Sequence, residues 1–254
     1  MTASTQKVAL VTGAGKRIGH VIALELARRG WSVAVHYGQS EADALATVRA
    51  IQDLGQEALA LQCDLGDERA VKTLLPRAAA LGPVTCLVNN AALFEYDSAA
   101  DFSYARLDAH MHANLAAPIL LTQALHAATP EDGQALAINL LDQKLFNLNP
   151  DYLSYTMSKA ALHAATTMLA QALAPRLRVV GIAPGLSMIS GDQTPEGFAQ
   201  AHRTTPLGRS STPEDIAQTV CFVAATPSIT GTTLVVDGGQ HLIPLPRDVM
   251  FLAK

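Results

Sequence analysis

A chain of 254 residues accommodates one α/β domain or two small ones, and with 49% hydrophobic and 16% charged residues it can bury a large core. The net charge of −4 gives no reason to expect nucleic acid or an anionic membrane surface as a partner. No apolar run reaches the ~20 residues that cross a bilayer, and the first seven residues are too short and polar for a signal peptide. Cys63, Cys86 and Cys221 are widely spaced and odd in number. They fit buried thiols in a reducing compartment, the cytoplasm, better than a disulfide framework or a metal site.

Taken in order, strand-like and helix-like patterns alternate. An apolar run from Val8 ends at Thr12, a glycine turn follows, and 18–29 reads as a helix stopped by Gly30. Strands are predicted over 31–37, 58–62, 86–89, 135–141, 178–182 and 233–236. Helices are predicted over 41–54, 67–80, 107–128 with a break near Pro118, 151–174 and 213–225. Apolar β-branched strands alternating with helices imply a parallel sheet covered on both faces. The expected fold is α/β: a single doubly wound Rossmann-type domain with a seven-stranded parallel sheet. Residues 183–207 break the rhythm, being irregular and rich in Gly, Pro, Ser and Thr. Lying after a strand C-terminus, they read as a substrate-covering loop or a surface loop.

The glycine turn carries the first chemistry. Gly13 lets the chain turn sharply, Gly19 lets helix and strand pack closely, and the free N–H groups at the helix start favour a pyrophosphate. The spacing Thr12-Gly13-x-x-x-Arg17-x-Gly19 resembles the cofactor loop of the short-chain dehydrogenase/reductase family. That family usually has glycine where Arg17 stands; Arg17 is similar to a variant of its pteridine reductase branch, where the arginine lies near an NADP phosphate.

At the end of the second strand, an Asp or Glu would accept from an NAD ribose and repel a 2′-phosphate. Here the segment reads Val35-His36-Tyr37-Gly38-Gln39-Ser40, with no carboxylate before Glu41. His36 and Ser40 can donate hydrogen bonds and Arg17 adds charge, so NADPH/NADP+ is the expected cofactor. Gln39 replaces the arginine of the resembling branch, which leaves one cation fewer. The resemblance also places Ile18, Tyr37, Leu65, Asn90, Ala91, Ala92, Pro184, Gly185 and Ser187 at the cofactor. It puts Asp64 at the adenine, and at Ala92 the branch often has a serine.

Tyr155 and Lys159 are four apart on the predicted long helix and share a face. A neighbouring ammonium and an oxidised nicotinamide would lower the tyrosine pKa, so that the pair can pass a proton while the cofactor passes a hydride. They match the catalytic pair of the family. Asn114 matches the asparagine that anchors the lysine through water. The family's usual serine after the fifth strand is replaced by Asp142. Pteridine reductases share that aspartate. A carboxyl hydrogen-bonded to Tyr155, its pKa raised by burial, can relay a proton to a ring nitrogen. Phe94 matches an aromatic residue that stacks on a flat pterin, with Leu186 also at the substrate.

The resemblance therefore implies an NADPH-dependent reductase of a dihydropterin or dihydrofolate-like ring. The alternatives are a carbonyl/alcohol oxidoreductase in which Asp142 merely replaces the serine, and a non-catalytic NADP-binding sensor. The partner is a small molecule, with no nucleic acid, membrane or metal. A homotetramer is implied, with Ala160, Ala161, Ala164 and Ala165 permitting close helix contact. The apolar tail from Gln240 either covers the substrate pocket or reaches a neighbouring subunit.

Overall fold

The apolar runs form β1 (Lys7–Val11), β2 (Trp31–Tyr37), β3 (Ala58–Gln62), β4 (Val84–Asn89), β5 (Ala135–Leu140), β6 (Leu177–Pro184) and β7 (Thr233–Val236). In this computed structural model, which describes residues 7–189 and 193–252, they make one parallel sheet in the order β3-β2-β1-β4-β5-β6-β7. Residues 1–6, 190–192 of the predicted loop and 253–254 of the tail lie outside the described residues.

The helices are α1 (Arg17–Arg28), α2 (Glu41–Asp53), α3 (Glu68–Ala78), α4 (Tyr104–Met111), α5 (Ala117–Ala128), α6 (Leu153–Leu173), α7 (Pro195–Arg203), α8 (Pro213–Ala225) and the short α9 (Val249–Leu252). They cover both faces of the sheet, which explains the unbroken apolar strands. Alternate residues of β1 show the division. Ala9 and Val11 join Ile22 of α1, Ile51 of α2 and Val220 of α8 in one core. Leu10 joins Leu74 of α3, Leu121 of α5 and Ala170 of α6 in the other.

Two expectations need correction. The break near Pro118 lies earlier, as a π turn over His112–Ala116 between α4 and α5. A proline ring clashes with the carbonyl four residues back, here that of Asn114, so Pro118 widens the turn before it. Residues 183–207 are not irregular throughout. β6 extends to Pro184, and α7 begins where the Thr194 side chain accepts from the Gly197 N–H at 3.0 Å, with Pro195 in the first turn.

Strand order reverses between β1 and β4, and the crevice outside those carboxyl ends is where open parallel sheets take ligands. A cavity of about 600 Å³ lies there.

Candidate active site

The glycine turn follows β1. Gly13 has φ +63, a left-handed conformation that glycine adopts without strain. A Cβ on Gly19 would stand 2.2 Å from the Gly13 carbonyl oxygen and 2.5 Å from Asn90 Nδ2, so only glycine permits this approach. Arg17, standing where the family usually has glycine, is also left-handed, with φ 56. That conformation explains the usual glycine. The Arg17 guanidinium donates to the Ile189 carbonyl at 2.9 Å, drawing the segment after β6 toward the turn. Helix α1 starts without a side-chain cap or an acidic residue in its first turn. Its N–H groups and the exposed Lys16 and Arg17 could hold a pyrophosphate or phosphate.

The turn is braced from behind. Asn90 Nδ2 donates to the Thr12 carbonyl at 2.8 Å, while Thr12 Oγ1 accepts from the Asn90 and Ala91 N–H groups at 2.9 and 3.0 Å. His36 is buried, and its position corrects the expectation that it donates to a cofactor. Nδ1 accepts from the Gly13 N–H at 3.0 Å and Nε2 meets the Cys63 carbonyl at 3.0 Å. That pattern requires neutral imidazole protonated on Nε2, and burial drives its pKa down to about 4. His36 therefore sets the turn rather than facing the cavity. Tyr37 hydrogen-bonds Glu41, and Ser40 precedes α2 without capping it. Asp64 accepts from the Gly66 N–H at 2.8 Å in an exposed turn beside Leu65. These four residues lie at the ends of β2 and β3, outside the cavity lining.

At the other end of the cavity stand Asp142, Tyr155 and Lys159. Asp142 follows β5 and caps a short turn, Oδ1 accepting from the Lys144 N–H at 2.8 Å. Its Oδ2 accepts from the Tyr155 hydroxyl at 2.9 Å, the predicted pairing. Desolvation raises the Asp142 carboxyl above the usual range, opposed by the Lys144 N–H and Tyr155 bonds. Lys159 Nζ donates to the Leu140 carbonyl at 2.6 Å and lies 5.9 Å from the centre of the Tyr155 ring. Burial lowers it to about 8.

The protein's own groups do not supply the expected lowering of the tyrosine pKa, which also calls on an oxidised nicotinamide. Burial first, then the adjacent Asp142 carboxylate, pushes Tyr155 well above its ordinary value. The aspartate in place of a serine adds a negative charge that opposes ionisation of the tyrosine. Asn114, expected to reach the lysine through water, makes three direct bonds. In the π turn, it accepts from the Leu93 N–H at 2.7 Å and donates to the Leu93 carbonyl at 2.9 Å and Ser158 Oγ at 3.0 Å. It thus fixes the segment after β4 against α6 with no direct contact to Lys159.

Phe94 lies on that segment and lines the cavity, 42% exposed. It stacks on Tyr152 at 4.3 Å between ring centres and meets Tyr155 edge-on at 4.7 Å. Pro184, Gly185, Leu186 and Ser187 form the facing wall. The Ser187 hydroxyl donates to the Gly185 carbonyl at 2.8 Å and shares a 2.7 Å bond with Ser211. Ile18, Ala91 and Ala92 also line the cavity.

Four further residues take part that the sequence does not single out one by one, two of them in the tail expected to cover the pocket. Gln240 lines the cavity and its Oε1 accepts from the Leu186 N–H at 2.9 Å. Asn139 accepts from Asn89 at 2.8 Å and donates to Thr166 at 2.9 Å, linking β4, β5 and α6 below the site. Lys144 and Asp248 line the cavity near Asp142. The tail thus covers the cavity of its own chain. Among the described residues no group of three or more His, Cys, Asp or Glu could hold a metal.

Known proteins with this arrangement are close at hand. A family model described as enoyl-(acyl carrier protein) reductase matches residues 13–241. The structure is similar to FolM alternative dihydrofolate reductase 1 from Brucella canis complexed with NADP. The TM-score is 0.90 and the identity 40%, over 95% of this chain and 96% of that one. The FolM alternative dihydrofolate reductase 1 from Brucella suis in complex with NADP gives a TM-score of 0.87 and 39% identity, over 93% and 96%. A 3-oxoacyl-[acyl-carrier-protein] reductase from Synechocystis sp. is 34% identical over 249 residues, 94% of this chain and 99% of that protein. With its parallel sheet, glycine turn and Tyr-x-x-x-Lys pair at one cavity, the chain belongs to the short-chain dehydrogenase/reductase family of oxidoreductases.

Proposed function

We propose that this protein is an NADPH-dependent reductase of a dihydropterin or dihydrofolate-like ring. The observation that carries the reading is the 2.9 Å bond from Tyr155 to Asp142, a carboxylate where the family usually has serine. NADP bound to both FolM structures supports the cofactor, and their dihydrofolate reductase names support the substrate class. The uncapped α1 start, the exposed Lys16 and Arg17 and the absence of a carboxylate at the end of β2 fit a phosphorylated dinucleotide.

When bound, NADPH would supply a hydride to the carbon of the ring C=N bond. The ring nitrogen gains a proton from the Tyr155 hydroxyl, and Asp142, whose carboxyl desolvation raises above the usual range, replaces it. A tyrosine held well above its ordinary pKa stays protonated until the ring nitrogen takes the proton. Lys159 keeps a positive charge beside Leu140 that stabilises the tyrosinate as it forms. Phe94, backed by Tyr152, offers the open part of its ring to a flat heterocycle. Residues 184–188 line the cavity and would flank the substrate.

A second reading, a carbonyl/alcohol oxidoreductase, is favoured by the ketoacyl reductase relative. The sensor reading is disfavoured because both Tyr155 and Lys159 are present and meet at the cavity. A homotetramer fits the exposed stripe of Met157, Ala160, Ala164 and Met168 on α6. Three buried free thiols fit the cytoplasm.

The test is NADPH consumption with dihydrobiopterin, dihydrofolate and a simple diketone side by side. Pterin turnover that disappears in Asp142→Ala and Tyr155→Phe is the expected result. Turnover of the diketone alone, improved by Asp142→Ser, supports the second reading and overturns the first.

A further inference from the structure

The chain after β7 returns across the substrate end of the cavity, where Asp248, Val249 and Met250 form part of the wall. A compact charged knot holds it there. Asp151, buried just before α6, accepts from Arg247 Nε with both carboxylate oxygens, at 3.0 and 2.8 Å, and from the Asp248 N–H at 2.7 Å. Lys144, also buried, donates to the Asp151 carbonyl at 2.6 Å and to Asp248 Oδ2 at 3.3 Å. Its ammonium lies 5.4 Å from the centre of the Tyr152 ring, and the Tyr152 hydroxyl reaches Met250 Sδ at 3.5 Å.

A buried ammonium is costly, and an apolar side chain would fill the same space without that cost. The position of this one is informative. Lys144 lies two residues after Asp142, and its backbone N–H is the donor that fixes Asp142 Oδ1 at 2.8 Å. One residue thus grips the catalytic carboxylate with its backbone and the C-terminal strap with its side chain. We propose that Lys144 is a positioning residue that ties closure of the strap over the substrate to the placement of Asp142 against Tyr155. The proposal rests on Asp142 acting as the acid in the reading above. It makes substrate entry, which requires the strap to move, a step that loosens the proton donor, and closure a step that restores it.

The charges around Asp142 give the proposal a signature. Tyr155 and Lys159 face it from α6, Lys144 from its own turn and Asp248 from the strap. Lys144 favours the carboxylate and Asp248 opposes it. Removing the two charges therefore moves the titration of Asp142 in opposite directions, whereas simple loosening of the site would move it the same way in both variants.

The full chain is compared as wild type, Lys144→Met and Asp248→Asn, each saturated with NADPH. Hydrogen exchange of the peptide over 245–251 needs no substrate. It is expected to quicken by about tenfold in Lys144→Met, while the NADPH Kd stays within about twofold of wild type. With dihydrobiopterin, the alkaline limb of kcat is expected to rise by about half a pH unit in Lys144→Met and fall by about as much in Asp248→Asn. Unchanged strap exchange, or limbs that move together, overturns the proposal. If wild type does not reduce dihydrobiopterin, the functional reading fails, and strap exchange alone decides whether Lys144 holds the tail. If Lys144→Met does not fold, Asp248→Asn carries both measurements: quickened exchange with a lowered limb is the expected result, and absence of either is the contrary one.

Discussion

Tyr155 donates its hydroxyl hydrogen to Asp142 Oδ2 at 2.9 Å, so the two groups share a single hydrogen bond. Charge on one opposes charge on the other: Asp142 raises Tyr155, and the carboxylate in turn is favoured by the tyrosine hydroxyl. They form one proton-holding unit rather than two independent acids.

Members of such a unit fail together. Asp142→Asn and Tyr155→Phe are each expected to lower kcat by about 10²–10⁴-fold. The double variant should fall little below the worse single one. Steady-state kinetics on the three proteins checks this, with NADPH titration confirming that the cofactor Kd is unchanged. Multiplying losses would mean separate roles.

Arg17 holds a left-handed backbone that costs a side-chain-bearing residue about 1–2 kcal/mol. Arg17→Gly should therefore be at least as stable as wild type, although glycine returns about 0.5–1 kcal/mol in unfolded-chain entropy. Arg17→Ala keeps the strain and should be less stable than Arg17→Gly, by about 1 kcal/mol. Both should bind NADPH about tenfold more weakly, because the cation and the tie to Ile189 are lost. Urea unfolding and NADPH titration separate the two effects.

His36 predicts a pH dependence of stability. Its folded pKa is about 4 against 6.5 for a free histidine, so the unfolded chain takes up the proton first. The His36 contribution is present above 6.5 and is lost as the pH falls from there through 4, amounting to about 3 kcal/mol in all. Protonation also removes the acceptor for the Gly13 N–H, so NADPH affinity should fall in the same window. Unfolding in urea from pH 7 to 4 measures the slope. His36→Phe should flatten it.

Gly19→Ala forces a Cβ against the Gly13 carbonyl oxygen and Asn90, neither of which can retreat without moving β1 or β4. A loss of about 1–3 kcal/mol in stability is expected. NADPH binding should weaken at least about a hundredfold, since the turn must open. Thermal unfolding and cofactor titration read both. An unaffected Kd would remove the turn from the cofactor site.

Much of this was legible because it is written locally. β2, β3, β7 and α8 fall on the expected residues, since apolar strand runs and the Thr212-Pro213 start are short-range signals. The Asp142–Tyr155 bond is what the resemblance to the pteridine reductase branch implies, with Asp142 standing at the position of the family's serine. What escaped depends on long-range contact. His36 reads as a free donor until β3 supplies the Cys63 carbonyl. Lys144 carries no local signal, and its role comes from the tail, 104 positions later in the chain, closing on it. Helix α7 was obscured by the composition around it, although Thr194-Pro195-Glu196 is a start signal. Pro118 did mark the irregular helix, but its effect falls on the carbonyl behind it.

The most direct test follows the hydride itself. NADPH carrying deuterium on the transferred position is incubated with dihydrobiopterin and a diketone, using wild type and Asp142→Ser in parallel. Deuterium on the reduced ring carbon of the tetrahydropterin, lost in Asp142→Ser, is the predicted result. Deuterium only in the alcohol, with more of it from Asp142→Ser, would contradict the assignment of Asp142 and with it the proposed substrate.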